Sequence, residues 1–150
     1  IDAAEKQGTQ IVSAAQNMTF TLGRARVTFI GPARTQHTDS RDDGLTLRID
    51  YGQTSVVVTG CITSNGEKEI VSSGAAAACD ALIVSRGGTE AATCAEWVEA
   101  AKPKVALITG KNPANSVRIR LQKYGATVYA AKENGVMTLF SDGQKITVEP

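Results

Sequence analysis

Residues 44–60 read GLTLRIDYGQTSVVVTG and are followed by Cys61. The stretch predicts a hairpin. An alternating strand at residues 45–50 leads through a turn at Tyr51-Gly52 into a second strand at residues 55–59. Val56, Val57, Val58 and Thr59 are all β-branched, which predicts a central strand buried on both faces. Gly60 stops the run. In an α/β sheet the residue just past such a strand lies at the carboxyl edge, where ligands bind. Cys61 therefore occupies a site position.

The chain has 150 residues, enough for one domain with its own core. Its net charge of +1 gives no overall field that recruits nucleic acid or anionic lipid. Aromatics make up 5% of residues, too few for a base-stacking surface. No apolar run approaches the roughly 20 residues of a membrane helix, and no signal segment opens the chain. The first residue is Ile1 rather than Met, so the chain reads as a piece of something longer. Cys61, Cys79 and Cys94 are too few and too scattered for a disulfide framework or a zinc site. Spacing leaves a Cys79–Cys94 disulfide open. The single histidine, His37, rules out a His-rich metal site within this chain and reads as a solvated loop residue.

Working outward, residues 1–6 look like the tail of a helix ending at Gly8. Residues 9–14 are a short strand candidate. Residues 18–22 and 26–30 alternate around Gly23-Arg24 as a hairpin that Gly31-Pro32 ends. Residues 33–43 are polar and without period, a loop. After Cys61, Asn65-Gly66 leads into a helix at residues 67–73. Residues 80–84 are a strand, and Thr89 is placed to cap a helix at residues 90–101. Residues 105–109 are a strand ended by Gly110. Asn112-Pro113 fits an N-cap and first turn for a helix at residues 114–123. A strand at residues 127–131 follows, then a hairpin of residues 136–140 and 145–148 around Asp142-Gly143. Hairpins thus come first, then two strand–helix–strand units, then a terminal hairpin.

Seven blocks in this order resemble one family. They are VTFIGP (27–32), DDGLTLRIDYG (42–52), SVVVTG (55–60), DALIVSRGGT (80–89), AKPKVALITG (101–110), NPANSVRIRLQKYGATVY (112–129) and VMTLFSDGQKI (136–146). Together they are similar to the metallo-β-lactamase-fold domain of ComEC-type DNA-internalisation competence proteins. The resemblance covers the second half of that domain. It implies an α/β fold, part of an αββα sandwich with a mixed sheet, hairpins and flanking helices. It also implies DNA as a partner and the extracytoplasmic side of a bacterial membrane as the location.

The family's first half carries an H-x-H-x-D-H metal cluster, and nothing here resembles it. The family's remaining metal positions are all altered. The aspartate after T-G is Cys61, the histidine pair of an H-H-G-S turn is Arg86-Gly87 in the run Arg86-Gly87-Gly88-Thr89, and the histidine before a helix-starting proline is Asn112. A two-metal site needs ligands that neutralise charge. Arg86 instead brings a permanent cation, Gly87 brings no side chain, and Asn112 is a weak neutral ligand. The expectation is a module with no metal cofactor and no catalytic residue. Two other readings stand beside it. One is the C-terminal part of a metal-dependent hydrolase or nuclease completed by a first half outside this chain. The other is an anion- or nucleic-acid-binding module. For the latter, Arg86, Gly87, Gly88 and Thr89 would form an anion-binding turn at a helix start, and Lys111, Arg118, Arg120 and Lys123 a basic face. The bland alternatives are a buried apolar filler for Cys61, an ordinary loop at Arg86, a helix cap at Asn112 and a solvated face for the basic cluster. Either a homodimer or the absent first half is expected to cover the apolar sheet.

Overall fold

The computed structural model describes residues 1–149. A seven-stranded mixed sheet runs in strict chain order, β1 (Thr19–Leu22), β2 (Ala25–Gly31), β3 (Thr46–Tyr51), β4 (Thr54–Val58), β5 (Ala81–Ile83), β6 (Val105–Ile108) and β7 (Thr127–Ala130). The first four strands are antiparallel, and β4 through β7 are parallel. This is the mixed α/β architecture the sequence predicts. The turn chemistry explains the change of direction. Strands β1 and β2, and β3 and β4, are joined by two-residue turns and β2 and β3 by the long loop of residues 32–45, none of which crosses the sheet, whereas each parallel pair is joined through a helix that returns the chain to the starting edge.

Those crossover helices are α2 (Ser64–Ser72), α3 (Ala95–Ala101) and α4 (Asn115–Lys123). All three bury into one core with Ile30, Val57, Leu82, Val84, Ala106, Ile108 and Ala130 of the sheet. Ile70, Trp97, Val98, Val117 and Leu121 are the helical contribution, each at most 1% exposed. Burial of this apolar face is the main stabilising term of the fold.

The opposite sheet face is less evenly covered. Val27, Ala81 and Leu107 on it are buried, whereas Val56 and Val58, Leu47 and Ile49, Phe29, Ile83, Val105 and Tyr129 are only half-buried. The central strand is therefore buried on its helix side by Val57 and half-covered on the other, not buried on both faces. A terminal hairpin, β8 (Thr138–Ser141) with β9 (Ile146–Glu149), forms a separate two-stranded sheet. It meets the open face at one end, where Thr54 and Ser141 hydroxyls lie 2.7 Å apart and Gln53 N donates to Gly143 O at 2.6 Å.

Three element expectations fail. Residues 9–14 form no strand, because no neighbouring strand takes up their backbone groups. The helix expected from Thr89 begins only at Ala95, since Thr93 and Cys94 just before it are held by a residue from another helix. The expected Asn112 cap is displaced, and α4 starts from Ala114 without a side-chain cap. Two short helices frame the chain, α1 (Asp2–Lys6) as expected and α5 (Ala131–Asn134) unforeseen.

Candidate functional site

Cys61, Arg86 and Asn112 follow β4, β5 and β6, three adjacent parallel strands, so the fold does gather them at one sheet edge. The backbone stitches that edge together. Arg86 N donates to Gly60 O at 3.0 Å, and Ala114 N donates to Gly88 O at 2.8 Å. The Ser85 hydroxyl donates to Ile62 O at 2.5 Å. With both flanking carbonyls turned toward the next strand's loop, Cys61 is exposed. It is not the buried filler expected of it.

Residues Ser85–Gly88 form a tight kinked turn in which Arg86, Gly87 and Gly88 all have positive φ, at 50°, 62° and 81°. For arginine this conformation costs roughly 1–2 kcal/mol. Gly87 is required by close approach as well. A Cβ there would stand 2.7 Å from Gly110 Cα and 2.8 Å from Gly110 N, and a Cβ on Gly110 would collide with the Gly87 carbonyl oxygen. The loops after β5 and β6 thus touch backbone to backbone where the resemblance would place a metal-binding side chain.

The donor set does not fit a metal. Arg86 is cationic, Gly87 has neither a side chain nor room for one, and Asn112 is an exposed neutral amide. Among the described residues no three His, Cys, Asp or Glu side chains converge on a common point. Cys79 and Cys94 are buried free thiols, each pushed up to about 12 by burial. The two are not joined in a disulfide.

Thr89 is exposed and opens no helix, so the four-residue anion turn expected from sequence loses its helix N-terminus. Arg86 has different company. It borders a cavity of about 350 Å³ with Asp39, Arg41, Thr63, Ser64, Asn65 and Ala91. That cavity adjoins a wider groove of about 820 Å³ between the 34–42 segment and α2, with which it shares Asp39, Arg41 and Asn65.

The groove wall is built from carboxylates that sequence reasoning missed. Asp42, 3% exposed, accepts from Thr63 N at 2.6 Å and from the Thr63 hydroxyl at 2.9 Å. It clamps the residue that caps α2. His37 is no solvated loop residue. Its ring is 3% exposed, with Nδ1 2.8 Å from Asp43 and Nε2 2.7 Å from Glu69. The hydrogen bond to Asp43, helped by Glu69, raises the imidazole above its ordinary pKa. Arg34 grips the same Glu69 with two nitrogens, at 2.8 and 3.0 Å. Asp39 is held at about 2, chiefly by its hydrogen bond from the Arg41 guanidinium.

The basic face foreseen on α4 is partly consumed by structure. Arg118 pairs with Glu133 at 2.5 Å, and Arg120 donates to Thr93 O at 2.5 Å. Only Lys111 and Lys123 of the four remain exposed and outside any ion pair among the described residues.

Among the described residues no helix is long and apolar enough to cross a membrane. No family model matches the chain. Its sequence is similar to ComE operon protein 3 of Bacillus subtilis (strain 168), with 24% identity over 143 residues. The match covers 91% of this chain and 18% of that protein, so the chain spans less than a fifth of its relative's length.

Proposed function

We propose that this chain is a metal-free, non-catalytic metallo-β-lactamase-like module of a ComEC-like DNA-uptake protein, folded as a single domain. The observation that carries the reading is the sheet edge after β4, β5 and β6, where Cys61, Arg86 and Asn112 adjoin and Gly87 packs directly on Gly110. The similarity to ComE operon protein 3 along 91% of the chain supports the setting. Arg86 opposes a bound cation by about 1 kcal/mol or more at contact distance in a solvated cleft. Incubation with zinc or manganese, followed by gel filtration and elemental analysis, should return substoichiometric metal. One transition metal per chain near Cys61 would overturn the reading.

The open sheet face favours a second reading. Half-covered Val56, Val58, Ile83 and Val105 continue into Phe20 and Leu22 on the edge strand, which are 48% and 71% exposed. A contiguous apolar face of this kind is an interaction surface, and an unpaired edge strand extends it. In this reading the face seats a preceding half-domain that brings the H-x-H-x-D-H cluster, and the pair is a hydrolase or nuclease acting on DNA. Without that half, the 150-residue chain should self-associate at micromolar concentration in light scattering, most simply as a homodimer. A monodisperse monomer of intact mass would count against any such partner for this face.

A further inference from the structure

We propose that residues 34–41 form a strap that His37 latches onto α2 while its ring is protonated and releases when the ring loses that proton. Both ring nitrogens face a carboxylate. Nδ1 lies 2.8 Å from Asp43 Oδ1, and Nε2 lies 2.7 Å from Glu69 Oε2. A neutral imidazole has one N–H and one lone pair, so it donates to only one of the two. The imidazolium donates to both. With the ring 3% exposed, it joins the strap to α2 as a buried, charge-assisted bridge.

The surroundings decide which bond is lost. Asp43 Oδ1 also accepts from His37 N at 3.0 Å, so it stays beside the ring whatever α2 does. The neutral ring keeps its Nδ1–H on Asp43 and turns the Nε2 lone pair toward Glu69. Glu69 is then ionised, because the Arg34 guanidinium holds its carboxyl below the ordinary range. A lone pair and a carboxylate oxygen at that separation repel, and the ring parts from α2. The hydrogen bond to Asp43 raises the imidazole above its ordinary 6.5. The latch is therefore closed below that value and opens as pH rises through the higher folded one.

Other charges nearby do not replace it. Arg34 shares Glu69 and opposes the charge on the ring. Asp39 is taken by Arg41, and Asp42 is turned onto Thr63. On α2, Lys68 pairs with Glu96, and Glu67 faces the amides before α3. Residues 34–41 contain no large apolar side chain, and most of them are exposed. A segment with so few buried contacts opens at low cost. Asp39 and Arg41 at its far end wall the cavity beside Arg86, so release withdraws one wall from the sheet edge after β4 and β5.

The test is an NMR titration of the intact 150-residue protein from about pH 5 to pH 9, across the histidine range. His37 is the single histidine, so the ring signals have one source. The ring should titrate above 6.5 and be the Nδ1–H tautomer when neutral. Amides of residues 35–42 should shift with the same midpoint. The Arg41 and Asp42 amides, bonded to Asp39, should lose protection from hydrogen exchange about tenfold, after correction for the intrinsic effect of pH. Glu67 titrates in the same range, so Glu67→Gln is the control in which the strap transition persists. In His37→Gln the strap should be loose at every pH. In Glu69→Gln the side-chain amide can donate to the neutral Nε2, and the transition should vanish. A ring that titrates while the strap stays still, a neutral Nε2–H tautomer, or a transition that survives His37→Gln overturns the proposal. The first two are read on the wild-type protein and need no variant to fold.

Discussion

Between pH 5 and pH 8 the protein is expected to lose about 2.5 kcal/mol of stability through Glu67, and Glu67→Gln is expected to remove that loss. Glu67 lies on α2 and is completely buried. Its carboxyl accepts from Thr93 N at 2.6 Å and Cys94 N at 2.8 Å, the amides just before α3. One helix thus anchors the two residues that lead into the next, of which Cys94 is its N-cap. Burial raises the carboxyl from 4.5 to about 7, against the pull of those two amides and of Arg120.

The sign follows from which state binds the proton more tightly. Below pH 4.5 Glu67 is protonated both folded and unfolded, and its contribution is fully present. As pH rises toward 7, the unfolded chain ionises freely while the folded chain holds its proton, so stability falls. Above about 7 the folded protein carries a buried carboxylate and the loss is complete. At roughly 1.4 kcal/mol per pH unit, the interval from 4.5 to about 7 gives about 3.5 kcal/mol in full, of which about 2.5 falls between pH 5 and pH 8 because the unfolded carboxyl is already largely ionised at pH 5. His37 acts in the same direction. Its raised pKa stabilises the fold below pH 6.5, and that contribution is lost as pH rises through the higher folded value. Glu67→Gln should therefore keep a small residual slope near neutrality that His37→Gln removes. The carboxamide cannot accept from both amides, so the variant should start about 1 kcal/mol less stable at pH 5. Urea unfolding at the two pH values decides the matter. A wild-type protein as stable at pH 8 as at pH 5, or a Glu67→Gln variant with the full slope, would contradict it.

Glu67 also shows where sequence reasoning stopped. The hairpin of β3 and β4 was legible to within a residue or so, because alternation, a glycine turn and a β-branched run are local signals. The alternation of the later strands with helices was legible for the same reason, though two strand–helix–strand units were read where the fold has three crossovers. The start of α3 was not. Its anchor comes from 27 residues upstream, so the nearby Thr89 looked like the better candidate. The start of α2 was misplaced because Asn65-Gly66 resembles a turn. In the fold Thr63 caps the helix and Gly66 lies inside it, where a Cβ would sit 2.7 Å from Asp42 Oδ1. Asp42 takes the space and supplies the anchor, a pairing across 21 residues. His37 was hidden likewise, since its carboxylate Glu69 lies 32 residues away. Of the sheet edge, the position of Cys61 was legible through Gly60 after β4, whereas Arg86 and Asn112 were pointed to by the family resemblance alone. The partnership of Arg86 with Arg41 was not legible, because the 34–42 segment reaches that edge by a path with no periodic signal.

Gly87→His should destabilise the fold by about 3 kcal/mol and restore no metal site. Two costs combine. A non-glycine residue at a φ of 62° pays the left-handed penalty, and its Cβ would press on Gly110 at 2.7 and 2.8 Å. Gly110 cannot retreat easily. It follows Ile108, which is fully buried, and precedes a turn tied to Gly88 O through Ala114 N. Cys61→Asp alone should cost little, because position 61 is exposed. The two substitutions joined with Asn112→His would recreate three of the four side chains that the family resemblance implies, yet Arg86 would remain at the fourth position as a fixed positive charge beside them. The triple variant should melt well below wild type and show no stoichiometric zinc in calorimetry. Adding Arg86→His to it separates charge from space. If the quadruple variant still binds no zinc, the backbone contact of Gly87 with Gly110 is the barrier. If it binds, the arginine is. A triple variant that takes up zinc at wild-type stability would mean that this edge is a preformed metal site, and the reading of it as abandoned would be wrong.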